Sequence, residues 1–210
     1  RDPRDQIAGI INRTAARNGV IIVPAFSVGR TQTLLYVLHL LKIKGRIPDI
    51  PVYLNSPMSI SATGIFCDHL GEHRLNPGQC DDLCNVAKYI HSPEESKALN
   101  EKDGPMIIVS ASGMATGGRV LHHLKAFAPD PKNSILFTGF QAAGTRGASL
   151  LAYAETVKIH GKQVPVRAEV SVVYNLSAHA DQGEILKWLS HFRNPPKPTF
   201  ITHGEQQAAE

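Results

Sequence analysis

Short apolar runs of strand length recur along the chain, and each is followed by a stretch with helical apolar spacing. "GVIIVPAF" precedes "RTQTLLYVLHLLKIKG", in which Leu34, Leu35, Val37, Leu38 and Leu41 fall on one stripe. "IPVYLNS" precedes "SPMSISATGIF", where Ser56 is placed to cap a helix whose first position is Pro57. "PMIIVSAS" leads through "GMATGG" into "RVLHHLKAF", and "NSILFTGF" leads through "QAAGTRG" into "ASLLAYA". This alternation predicts an α/β fold with a mainly parallel sheet flanked by helices. Parallel neighbours need a crossover that a helix supplies, and strands covered on both faces read as unbroken apolar runs. The stretch from about Leu70 to Lys102 departs from the pattern and reads as irregular excursions around short helices. Further on, "QVPVRAEVSVVYN" alternates like one or two strands, "DQGEILKWLSHF" reads as a helix, and "KPTFITHG" reads as a strand. A C-terminal β-α-β piece is therefore expected, with Trp188 on the apolar stripe of its helix and in the core.

With 42% hydrophobic and 19% charged residues, the 210-residue chain has the composition of a globular protein rather than a disordered one. Its formal charge of +4 permits a polyanionic partner without requiring one. Cys67, Cys80 and Cys84 are too few and too local for a disulfide framework, which points to a reducing compartment and a cytoplasmic location. No apolar run approaches the roughly 20 residues of a bilayer span, so no membrane partner is expected. The chain lacks an initiating Met and finishes on "EQQAAE", which reads as the start of a helix, so both ends look cut.

The loops between strands and helices carry the chemistry. In an open α/β sheet they gather at the carboxyl edge of the strands, where helix N-termini offer unpaired N–H groups. "SASGMATGGRV" supplies hydroxyls from Ser110, Ser112 and Thr116, close backbone approach at Gly113, Gly117 and Gly118, and positive charge at Arg119. Such a loop can cradle phosphate; by itself it reads equally as a tightly packed glycine-rich turn. "QAAGTRG" repeats the theme with Thr145 and Arg146, and "FSVGRTQ" with Ser27, Arg30, Thr31 and Gln32. Three hydroxyl-plus-arginine loops on one edge suggest a track for anionic groups, and so a nucleic-acid backbone.

Two histidines stand apart from the apolar pattern. His179 lies in "NLSAHADQGE", just before Asp181, which is placed to cap the following helix, and His203 lies in "TFITHGEQQ", followed by Gly204. Two parallel strands joined by one helix would bring both imidazoles to one edge. An imidazole there could ligate zinc or act as a general acid near neutral pH. Two histidines do not hold a catalytic zinc, and no HxHxDH or HExxH occurs in the chain. Cys67, His69, His73, Cys80 and Cys84 match no established zinc pattern and read as ordinary half-buried residues. His122 and His123, being adjacent, are expected to form a solvated or interface pair.

Taken in order, "VPAFSVGRTQ", "NSPMSISAT", "SASGMATGGRVLHHL", "FTGFQAAGTRG", "SAHAD" and "THGE" span nearly the whole chain and closely resemble the β-CASP branch of the metallo-β-lactamase superfamily. That branch comprises RNA-processing zinc nucleases, among them the polyadenylation-site cleavage subunit and bacterial and archaeal RNases. The resemblance implies a β-CASP domain over residues 1–172 and, over 173–210, a C-terminal fragment of a metallo-β-lactamase domain carrying motifs B and C. It implies hydrolysis of RNA phosphodiester bonds with two zinc ions and a metal-bound hydroxide. His179 matches the motif B histidine, which protonates the leaving oxygen, and His203 matches the motif C metal ligand. A DNA-cutting branch has valine at the latter place, so His203 favours RNA. The implied RNA contacts are Arg30, Ser112, Gly113, Thr116, Gly117, Arg119, Thr145, Arg146 and Ser177. The family's main zinc motifs would precede residue 1, so the chain by itself is expected to be inactive and not to bind the zinc pair. The alternative is a noncatalytic RNA-binding or assembly module, and a homodimer or an RNA-processing complex is left open as the assembly.

Overall fold

The structure, a computed structural model, describes residues 2–174, 176 and 179–202. Helix α1 (Pro3–Ala16) is followed by β1 (Val20–Pro24), α2 (Arg30–Ile43), β2 (Val52–Leu54), α3 (Pro57–Asp68), α4 (Pro77–Asn85), β3 (Lys88–Tyr89), α5 (Pro93–Leu99) and β4 (Met106–Ser110). The chain continues through α6 (Val120–Phe127), β5 (Ser134–Phe137), α7 (Arg146–Leu151), β6 (Thr156–Ile159), β7 (Lys162–Pro165), β8 (Glu169–Val172) and α8 (Gln182–Leu189). Four helices share one start signal: proline opens α1, α3, α4 and α5, and the preceding Asp2, Ser56, Asn76 or Ser92 accepts a first-turn backbone N–H. Proline costs nothing there because its missing N–H would have no helical partner.

Six strands form one sheet in the order β3-β2-β4-β1-β5-β8, every pair parallel, while β6 and β7 make a separate antiparallel hairpin. Successive residues of a strand point to opposite faces, and β1 divides accordingly. Ile21 and Val23 pack with α1, α2 and Leu83 of α4, whereas Val20 and Ile22 pack with α6, Leu150 of α7 and the hairpin. Leu34 and Leu38 of α2 are buried on the first face, each burial contributing roughly 2 kcal/mol before conformational entropy is counted.

Polar ties fix the sheet's outer edge. Arg17 donates from Nε to the Lys132 carbonyl at 2.7 Å and from its NH2 to Ser134 Oγ at 2.8 Å and Glu169 Oε2 at 3.0 Å. Arg13 reaches the other oxygen of Glu169 at 2.6 Å. The first helix and the last strand of the sheet are thereby bound side by side.

The chain forms two compact units, Arg1–Ser177 and Ala178–Glu210. Val173, one residue beyond β8, still donates to the Phe137 carbonyl at 2.9 Å and is buried in the first unit. Of the expected C-terminal β-α-β piece, β8 joins the large sheet, and α8 forms with Asp181 and Glu184 exchanging capping bonds at 2.9 Å each. Residues 197–202 form no strand, since a strand needs a hydrogen-bonding neighbour and the described part of this unit supplies none. Trp188, expected in the core, is 65% exposed and meets Phe192 edge-on with ring centroids 5.3 Å apart. Among the described residues no helix is long and apolar enough to cross a membrane.

Candidate functional site

Because every strand of the sheet is parallel, all carboxyl ends share one edge. From β1 the chain turns to α2 on one face, and from β4, its neighbour, it turns to α6 on the other. Loops that diverge in this way leave a crevice between them. A cavity of about 820 Å³ opens there, lined by Phe26 and Val28 after β1, Asn55 and Met58 after β2, and Ser112 and Arg119 after β4.

The cavity floor is a closed polar network. Asn55 is fully buried; its Nδ2 donates to Ser96 Oγ at 2.7 Å and lies 2.6 Å from His123 Nε2. Arg119 donates from one terminal nitrogen to Asn55 Oδ1 at 2.9 Å and the Ile90 carbonyl at 3.1 Å, and from the other to the His91 carbonyl at 3.0 Å. The second His123 nitrogen, Nδ1, is 2.7 Å from Asn100 Oδ1. One proton arrangement satisfies all of them: Nδ1–H donates to Asn100 while the bare Nε2 accepts from the Asn55 amide. Burial, with the charges of His122 and Arg119 nearby, pulls His123 down to about 4. The expected solvated or interface pair is thus corrected: His123 is buried and neutral, and only His122 of the two is exposed, its ring 4.6 Å from that of His160.

The loops proposed from sequence as donors to an anion hold mostly themselves. Ser112 Oγ accepts from Thr116 N at 3.1 Å and Gly117 N at 3.4 Å, closing a turn. Thr145 Oγ1 caps α7 by accepting from Ala148 N at 3.1 Å and donates to the Ala142 carbonyl at 2.6 Å. Arg146 donates to the carbonyls of Lys158, Ala115 and Thr116. Gln141 Nε2 donates to Gly113 O at 3.2 Å, so the loops after β4 and β5 are fastened together. Arg30 donates to the Leu176 carbonyl, three residues before His179 in sequence, and burial lowers its pKa. Gly113 is buried directly beneath Phe26, and Gly118 takes φ +78° with Ala111 O 2.5 Å from where a Cβ would sit. These hydroxyls bond first to their own backbone, as serine and threonine in loops do.

The cysteine region is satisfied too. His73 Nδ1 accepts from Leu75 N at 3.2 Å, its Nε2 lies 2.9 Å from the Phe66 carbonyl, and Cys67 Sγ is 2.8 Å from Cys84 Sγ. Burial pushes the Cys67 thiol up. No group of three His, Cys, Asp or Glu side chains among the described residues can hold a metal ion.

His179 is exposed and sits in the second unit, while His203 and Ser177 lie outside the described residues. Sequence reasoning passed over Phe26 and Asn55. Their signal was position: an aromatic and an amide immediately after buried strand runs, on the edge where the loops converge.

Residues 31–150 match the Beta-Casp domain, and residues 163–210 match the Zn-dependent metallo-hydrolase RNA specificity domain. Ribonuclease TTHA0252 of Thermus thermophilus is 36% identical over 94% of this chain and 46% of its own length. An RNase J-like protein of Methanocaldococcus jannaschii is 32% identical over 96% of the chain and 47% of its own length. Transcription termination factor FttA of Methanosarcina mazei is 31% identical over 99% of the chain and 34% of its own length. The chain spans half or less of the length of these relatives.

Proposed function

This chain belongs to the β-CASP family of the metallo-β-lactamase superfamily, and we propose from that premise that it is the RNA-holding portion of a ribonuclease. The observation that carries this reading is the open crevice at the carboxyl edge of an all-parallel sheet, in a chain whose later part matches an RNA specificity domain. Arg30, Ser112, Thr116, Gly117, Arg119, Thr145, Arg146 and Ser177 are assigned to the strand's path. Guanidinia already anchored on carbonyls are pre-aimed, so less side-chain entropy is lost when a remaining N–H meets a phosphate. Gly113 acts by seating Phe26.

In hydrolysis the bond between phosphorus and the leaving ribose oxygen breaks, and that oxygen needs a proton. His179 is assigned to donate it, and His203 to ligate metal in the full-length protein. The described residues do not make a zinc site, so zinc in the full-length protein would need ligands from elsewhere. The alternative is a noncatalytic RNA-binding or assembly module. Either way, RNA is the partner and a cytoplasmic setting fits the free thiols.

Single-turnover cleavage of single-stranded RNA by the full-length protein separates the two. His179→Ala should lower the rate roughly 10²- to 10⁴-fold with metal content retained, and His203→Ala should lose metal. This chain alone should bind RNA without cutting it. An unaltered rate in His179→Ala, or equal metal loss in both variants, would remove the acid assignment; a full-length protein that binds but never cuts would favour the noncatalytic module.

A further inference from the structure

We propose that the cavity after β1, β2 and β4 receives one nucleobase of single-stranded RNA, turned out of the strand and stacked on Phe26; this rests on the RNA-binding reading above. Phe26 follows a fully buried strand yet is 49% exposed. One face of its ring is closed. A Cβ built on Gly113 would lie 2.7, 2.9 and 3.0 Å from Cδ2, Cε2 and Cγ of that ring. Three such similar distances place it above the ring, because an approach in the ring plane would leave the flanking carbons much farther than the nearest one. Gly113 is therefore a seat that no larger residue could provide. The ring is held on that side by Gly113, and Phe26 is among the residues that line the cavity.

The remaining walls suit a flat apolar ring. Val28 and Met58 line the cavity and are both largely exposed, and a thioether packs favourably on aromatic systems. The polar groups nearby are mostly committed. Ser112 closes its own turn, Ser27 Oγ accepts from Ser59 Oγ at 3.0 Å, and Ser56 caps α3. An anion would find few donors here, whereas a base brings two apolar faces and a polar edge. Arg119 is the exception, a guanidinium fixed in orientation by Asn55 and two carbonyls at the cavity wall. It can meet the edge of a base or lie over its face. Stacking tolerates any of the four bases, so the site would set the position of the strand rather than read its sequence.

The test uses the full-length protein carrying His179→Ala and a single-stranded RNA in which successive nucleotides lack their base. At one position, removing the base should weaken binding about 10-fold, within the usual range for one stacked base. Phe26→Leu should weaken binding of intact RNA by a similar factor and abolish the sensitivity at that position alone, while Phe26→Tyr keeps both. Met58→Ala, at an exposed position that folding does not depend on, should lower affinity a few-fold with the same positional signature. If RNA binds but Phe26→Leu leaves the abasic profile unchanged, or weakens every RNA equally, the base site is overturned; the second result is the one expected where another protein segment covers the cavity. If no RNA binds, the RNA-binding reading falls, and the base site with it.

Discussion

His123 accepts the Asn55 amide only while its Nε2 is bare, so a single proton decides whether the cavity floor stays assembled. The unfolded imidazole has its ordinary value of 6.5, and the folded one is pulled to about 4. The unfolded chain therefore takes up the proton first as pH falls. The stabilisation is complete above about pH 6.5 and is lost progressively down to about pH 4, a loss on the order of 3 kcal/mol. Urea unfolding at pH 7 and pH 5 should show wild type losing about 2 kcal/mol more than His123→Gln, which does not titrate. Parallel pH curves would mean that His123 is not held neutral. Sequence placed His122 and His123 on different helical faces but could not say which face met Asn55 and Asn100, because that depends on the distant β2 and α5. The caps at Ser56 and Asp181 were legible, since a cap is decided within four residues.

At the scale of elements, the strands β1, β2, β4 and β5 and the helices α2, α3 and α6 were readable because each carries its own local period. Helix α1 carries an equal signal, with Asp2 as cap, Pro3 at its first position and Ile7, Ile10 and Ile11 on its buried side. Pairing was not readable: β3 has two residues, and residues 197–202 show that β character without a neighbour makes no strand. The tie between α1 and β8 is equally non-local, resting on Arg17 across 115 to 152 positions of sequence. Arg17→Ala leaves the Lys132 carbonyl and the buried Ser134 hydroxyl without that donor, and should destabilise the chain by about 2 kcal/mol in urea unfolding. Arg17→Lys should recover only part of it, having no fork to span two partners. A change under about 0.5 kcal/mol in the alanine variant would show that the edge is held by apolar packing alone.

For the molecule as a whole, convergence of the loops was legible because alternating strands and helices force them to one edge. The mostly apolar cavity was not, because it follows from which hydroxyls and guanidinia turn back onto their own loops. The central claim is that this edge holds an RNA backbone, and a salt titration addresses it most directly. Single-stranded RNA binding by full-length protein carrying His179→Ala should weaken linearly in log affinity against log salt, and to the same degree for unrelated RNA sequences. Alanine at Arg30, Arg119 or Arg146, in variants shown to remain folded, should flatten that slope by roughly 0.7 for each phosphate no longer neutralised. If all three variants keep the parent's affinity and slope, the edge is a packing feature and the RNA runs elsewhere.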